Sequence, residues 1–296
     1  MTQIAASPEV ELETTNVPRG SRRRRLAGAA RKHPVGVIGL ILVAIVLFLA
    51  VFGSAISADP NEITLDILQK PSSEHWFGTD GLGRDYFARV ISGARASMSL
   101  ALSAMLIGGV AALMIGMVSA YARGFVDLLG QRLVDMLLAF PGLILLLLMA
   151  QVVGRGWEAM AVGLGFLYAV DLTRIVRSNT LATLANPYVE SARVVGASPP
   201  RILIRHVLPN MGPPALIYMT ALIGGAILAE GALSFLGLGI APPTPSWGRM
   251  LADGRTLWRE WHLSVFPGVA MTVAVLGFNL LGDTLRDVFD PRLRGS

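Results

Sequence analysis

PYVESARVVGASPPRILIRHVLPN, residues 187–210, is a polar, arginine-bearing break in a chain that is otherwise largely apolar. Its punctuation predicts two short helices meeting at a corner. Asn186 is an N-cap candidate and Pro187 suits the first helical position, where its missing N–H costs nothing. Gly196 stops that helix, because glycine tolerates the left-handed backbone that many helix ends need. Ser198 can cap a second start, with Pro199 and Pro200 in its first turn. Pro209 is expected to end or kink that segment. Arg193, Arg201 and Arg205 are left within reach of solvent or a partner.

The rest of the chain predicts a membrane protein. Of 296 residues, 53% are hydrophobic and only 15% charged, and the mean hydropathy is +0.58. No Asp, Glu, Lys or Arg occurs over residues 33–58 or 96–122. A bilayer core needs roughly 20 apolar residues per helix, so each run can span it. Six spans are expected, at about 34–57, 97–121, 134–153, 157–176, 214–236 and 263–281, giving an all-α polytopic fold. The first run exceeds the h-region of a signal peptide and is read as a retained helix. In the second, Gly108, Ala112 and Gly116 form a small-residue stripe on which another helix can pack closely. The third carries Asp135 at its entry and Pro141 inside. The fourth is interrupted by Asp171 and Arg174, which can pair at i, i+3.

Between the first two spans, residues 58–95 read as a polar extramembrane flap. Its glycine cluster is no dinucleotide fingerprint, because Tyr86 stands where a third glycine is needed. It is no EF-hand either, because Leu82 stands two residues after Asp80. Asp80, Arg84 and Asp85 are left for local pairing around a tight turn. The division expected is a disordered basic tail (1–33), first span plus flap (34–95), a five-helix core (96–285) holding the loop 178–212, and a second tail (286–296).

The net charge of +5 is nearly all arginine, since Lys32 and Lys70 are the only lysines. With the N-terminus in the cytoplasm, 17 of the 25 basic residues fall on cytoplasmic segments and 8 outside. That is the positive-inside pattern, so the basic excess reports topology and membrane lipid contact rather than nucleic-acid binding. It places both termini and the 187–210 loop in the cytoplasm. Arg22 to Arg25, Arg31 and Lys32 read as an anchor before the first span.

Catalytic patterns are missing. Neither lysine lies in a phosphate-binding loop, no H-E-x-x-H or G-x-S-x-G occurs, and cysteine is absent. No metal site and no bound cofactor are expected. Glu230 is the clear ionisable group inside a span. It is read either as a helix–helix fastening, with Ser234 one turn on, or as the ion site of a stand-alone secondary transporter. The fastening is the preferred reading.

Within the loop, Glu190, Ser191 and Ala192, then Gly196, then Leu208 and Pro209 resemble the E-A-A, G, I-x-L-P signature of ABC-importer permeases. Ser191 replaces an alanine, small for small. His206 stands where the generic signature has Ile, and a His before V-L-P-N is similar to the peptide-importer branch. HWFGTDGLGRD (75–85), ALSFLGLGIAPPTPSWGRML (232–251) and LGDTLRDVFDPRLR (281–294) resemble segments of the second permease in dipeptide, oligopeptide and nickel systems.

That resemblance implies a type I importer fold and a permease with no ATPase activity of its own. It also implies a second permease as partner, one or two cytoplasmic ATPases that bind ATP and Mg²⁺, and an extracytoplasmic binding protein. On matching residues, Glu190, Ser191 and Ala192 would face the ATPase and Gly196 would set the corner of a coupling helix. Ser198, His206 and Pro209 belong to the same segment, and Arg193 and Arg201 are candidates for salt-sensitive contacts. The cargo expected is a peptide, with glutathione-like molecules and nickel complexes as alternatives.

Overall fold

The computed structural model describes residues 33–154 and 156–289. The basic block at residues 22–32, Arg155, Arg292 and Arg294 lie outside the described residues. The chain divides into a short unit, Met1–Pro34, and a helical unit, Val35–Ser296, to which the following account belongs.

Among the described residues there are ten α-helices and no strand beyond one isolated bridge between Thr79 and Asp85. In chain order they are α1 Pro34–Ile56, α2 Tyr86–Ala122, α3 Gly124–Leu138, α4 Gly142–Val153, α5 Trp157–Leu184, α6 Pro187–Val194, α7 Pro199–Ile202, α8 Leu208–Phe235, α9 Trp247–Thr256 and α10 His262–Phe289. Five helices are long and apolar enough to cross a membrane, six spans if α3 and α4 count as one broken span. The exposed Leu, Ile, Val and Phe side chains of α1 show why: a surface this apolar belongs in lipid.

Three expected element boundaries need correction. The third span is not a straight helix over 134–153. α3 and α4 meet at 98°, with Pro141 at the break. Proline cannot donate the intrahelical N–H and disfavours helical backbone at the residue before it, here Phe140. The second span starts earlier than expected, at Tyr86, because Asp85 caps it by accepting from Ala88 N. Residues 86–95, expected as flap, are its first turns. Finally, Pro209 does not end the segment before it. A π-helical stretch, Leu203–Val207, carries the chain into α8, with Pro209 in that helix's first turn. The wider turn accommodates a residue without an N–H.

Close approach of α2 and α5 organises the bundle. Between helices in lipid there is little hydrophobic driving force, so contact depends on fit and on polar bonds. A Cβ on Gly108 would lie 2.6 Å from the Gly165 carbonyl, and one on Gly116 2.7 Å from Val176 Cγ1. The stripe read from the sequence is therefore the seam. Along it, α3 is tied to α5 by polar bonds: Arg177 donates twice to Asp127, each at 2.6 Å, and Arg174 pairs with Asp135. The expected pairing of Arg174 with Asp171 gives way to this one, because the bent α3 brings Asp135 within reach.

Candidate functional site

α2 has 37 residues and is about 55 Å long at 1.5 Å per residue. Its two ends carry different constructions, and the candidate residues divide between them.

At the C-terminal end of α2 sits the 187–210 loop. Asn186 and Pro187 start α6 as expected, although the Asn186 amide does not cap it. That amide donates back to the Ala182 and Thr183 carbonyls, closing α5. α6 ends at Gly196, whose φ of +84° is left-handed. Ala197 N donates to the Ala192 carbonyl at 3.0 Å, so two otherwise orphaned groups are satisfied across the corner. Ser198 holds the N-cap place of α7 without a side-chain bond.

Beneath this corner, Val189, Ile202, Val207 and Met211 are fully buried against Leu172, Val176, Ala112 and Met117 of α5 and α2. Four apolar side chains therefore clamp a polar loop onto the bundle. Above it, Glu190, Ser191, Gly196, Ser198, Arg201 and Pro209 are exposed, while Ala192, Arg193 and His206 are half-buried. Arg193 lies 3.6 Å from Glu190 and 5.6 Å from the Tyr121 ring, so it faces the bundle more than solvent. His206 neighbours the Tyr188 ring. Two residues that the sequence reading passed over dominate the tip: Val194 is 81% exposed and Val195 88%. The available signal was a Val-Val pair directly before the stop glycine, on a helix whose buried residue is Val189.

The other end is built from polar bonds. Asp80 accepts from Leu82 N and Arg84 N and pairs with the Arg84 guanidinium at 2.7 Å. Asp85 caps α2 and meets His75 Nδ1 at 2.9 Å. Local pairing of Asp80, Arg84 and Asp85 is thus what the flap does with them. The flap rests on α10 through His262, fully buried, whose Nε2 lies 3.3 Å from the Thr79 carbonyl.

Just inside that end lies Glu230, with no solvent exposure. Ser234 donates to its Oε1 at 2.7 Å, as the sequence suggested, and Ser246 donates to the same oxygen at 2.9 Å. Ser97 reaches Oε2 at 3.5 Å and also accepts from Trp247 N. The Trp247 indole donates to the Val90 carbonyl at 2.9 Å. One carboxylate therefore fastens α8 to α2 and to the start of the short helix α9. A buried carboxylate is costly unless its lone pairs are taken up, and here three hydroxyls do that. Ser97 and Ser246 lie 133 and 16 residues from Glu230, which is why only Ser234 could be read as its partner.

α9, so positioned, walls a cavity of about 370 Å³ shared with the flap. Among the described residues no group of three or more His, Cys, Asp or Glu side chains could hold a metal ion.

Comparison with known proteins fits this architecture. Residues 112–295 match the family described as binding-protein-dependent transport system inner membrane component. Over 296 residues the chain is 36% identical to the glutathione transport system permease protein GsiD of Escherichia coli O1:K1 / APEC, covering 99% of this chain and 96% of that protein. The GsiD protein of Shigella flexneri serotype 5b (strain 8401) is 38% identical with the same coverage. A helical, multi-pass chain with this loop and these relatives belongs to the binding-protein-dependent transport system inner membrane components, the permease subunits of ABC importers.

Proposed function

We propose that this chain forms half of the translocation path of an ATP-driven importer of short peptides in the cytoplasmic membrane. A second permease supplies the other half, cytoplasmic ATPases bind ATP and Mg²⁺, and an extracytoplasmic binding protein delivers cargo. The observation that carries the reading is the 187–210 loop. It is clamped from below by Val189, Ile202, Val207 and Met211, yet turns Val194, Val195, Glu190 and Arg201 outward around Gly196. A rigid base with an exposed apolar tip suits a segment that must pass a partner's motion to the bundle. The positive-inside excess supports a cytoplasmic loop and cytoplasmic termini.

The glutathione permeases among the relatives favour one member of the cargo class, since glutathione is itself a tripeptide. A stand-alone secondary transporter built on Glu230 is less well supported. Its carboxylate is enclosed by Ser97, Ser234 and Ser246 rather than open to a path.

The chain has no cysteine, so a single Val195→Cys substitution gives a clean cross-linking probe in the assembled importer. A cross-link to the ATPase subunit is expected. Cross-linking only to the binding protein would place this loop on the wrong side of the membrane and overturn the assignment.

A further inference from the structure

The cavity between the flap and α9 has no part in the loop's work, and its chemistry is unbalanced. Three guanidiniums line it, those of Arg84, Arg89 and Arg249, against two carboxylates, those of Asp80 and Asp253. Asp80 is saturated by Arg84 and by backbone N–H groups. It leaves Arg89 Nε, on a side chain 4% exposed, a 3.4 Å approach without a hydrogen bond, while Arg89 Nη1 donates to the Pro60 carbonyl at 3.0 Å. Arg249 Nε lies 3.0 Å from Asp253 Oδ1, an ion pair without hydrogen-bond geometry. The two carboxylates are thus shared among three guanidiniums, which leaves the lining one positive charge in excess. Of the three arginines, Arg249 is the most exposed, at 32% of its side chain.

The shape of the site agrees with a small anionic ligand. About 370 Å³ falls in the lower part of the roughly 300–1,000 Å³ range of small-molecule sites. Leu82 and Leu257 supply an apolar wall beside the charges. A guanidinium matches a carboxylate by two parallel N–H bonds, which a neutral amide or ester cannot reproduce. The wall that carries Arg249 is fixed by the Glu230 cage, since Ser246 both bonds Glu230 and accepts from Arg249 N.

We infer that this cavity is a binding subsite for the carboxylate of a short peptide, held by Arg249. The inference rests on the peptide-importer reading above and adds the place where this chain itself touches cargo.

The test uses the complete importer in nanodiscs, without its binding protein and without ATP. Binding of radiolabelled triglycine and glutathione is compared with that of triglycine amide and glutathione diethyl ester. The free acids are expected to bind at least tenfold more tightly than the neutral forms. Arg249→Gln should erase that preference and Arg249→Lys should keep part of it. Equal binding of acid and neutral forms would overturn the subsite, as would an acid preference that survives Arg249→Gln. If Arg249→Gln leaves peptide binding intact but weakens association of the cargo-free binding protein, the cavity is a docking notch and the proposal also fails. Uptake into proteoliposomes separates this from the broader reading. If no peptide is taken up in any variant, the cargo class is wrong. If peptides are taken up and Arg249→Gln changes neither uptake nor acid preference, only the subsite is wrong.

Discussion

The two ends of α2 solve opposite problems. The loop end presents charged and small residues outward and is held from beneath by apolar side chains, Val189, Ile202, Val207 and Met211. The flap end keeps its polar groups inside, with Glu230, Ser97, Ser246 and His262 all buried, and is held by their hydrogen bonds. An apolar clamp is non-directional and survives small shifts, which suits the proposed role of a surface moved by a partner. A hydrogen-bonded cage is directional and loses its worth when one member moves, which suits a wall that must hold a cavity's shape.

The sharpest way to break that contrast is at Glu230. Glu230→Leu removes the acceptor that Ser234, Ser246 and Ser97 share, leaving buried hydroxyls unpaired. It should cost about 4 kcal/mol, since each buried orphaned group costs roughly 1–3. Thermal unfolding of the assembled complex reads this as a large fall in Tm, with Glu230→Gln falling less. Unchanged Tm in the leucine variant would mean the cage fastens nothing.

At the loop, Ile202→Ala should cost about 3 kcal/mol, the usual loss for a buried aliphatic side chain. Because the clamp is apolar, Ile202→Leu should restore most of the Tm. A leucine variant as unstable as the alanine variant would show that the clamp is as directional as the cage.

Smaller still on the stability axis is Gly196. Nothing lies within 4 Å of a Cβ built there, so only the left-handed backbone resists substitution, at about 1–2 kcal/mol. Gly196→Asn should be milder than Gly196→Asp. In both, the expected loss is of uptake relative to ATP hydrolysis, measured in the same proteoliposomes. Wild-type coupling in both variants would remove the corner from the transmission path.

The smallest stability effect is expected for Val194→Ser with Val195→Ser, within about 0.5 kcal/mol because both side chains are exposed. Cross-linking and stimulated ATPase activity should nevertheless fall. Retention of both would move the docking surface away from this tip.

How much was legible depended on the sequence distance of the deciding contact. Asn186, Pro187, Gly196 and the small-residue stripe act within a helical turn or along one helix face, so their spacing alone announced them. The break at Pro141 was visible as a residue but its 98° consequence was not, because a proline in a span can kink, end or merely bend a helix. Arg174 looked paired with Asp171 until α3 folded back and offered Asp135.

By itself the sequence determined that this is a chain of six apolar runs with a polar, arginine-bearing loop, a glycine corner and one acidic residue at depth. Hydropathy, charge asymmetry and backbone punctuation are local properties and needed no partner. Only the tertiary structure decided that Glu230 is a fastening shared by Ser97 and Ser246, and that Arg193 turns inward while Val194 and Val195 turn out. It alone brought Arg84, Arg89 and Arg249 around one cavity. Those outcomes bring together residues as far apart along the chain as Arg84 and Arg249, 165 positions, in the lining of one cavity, and a one-dimensional pattern carries no record of which distant side chain will arrive to satisfy a buried charge.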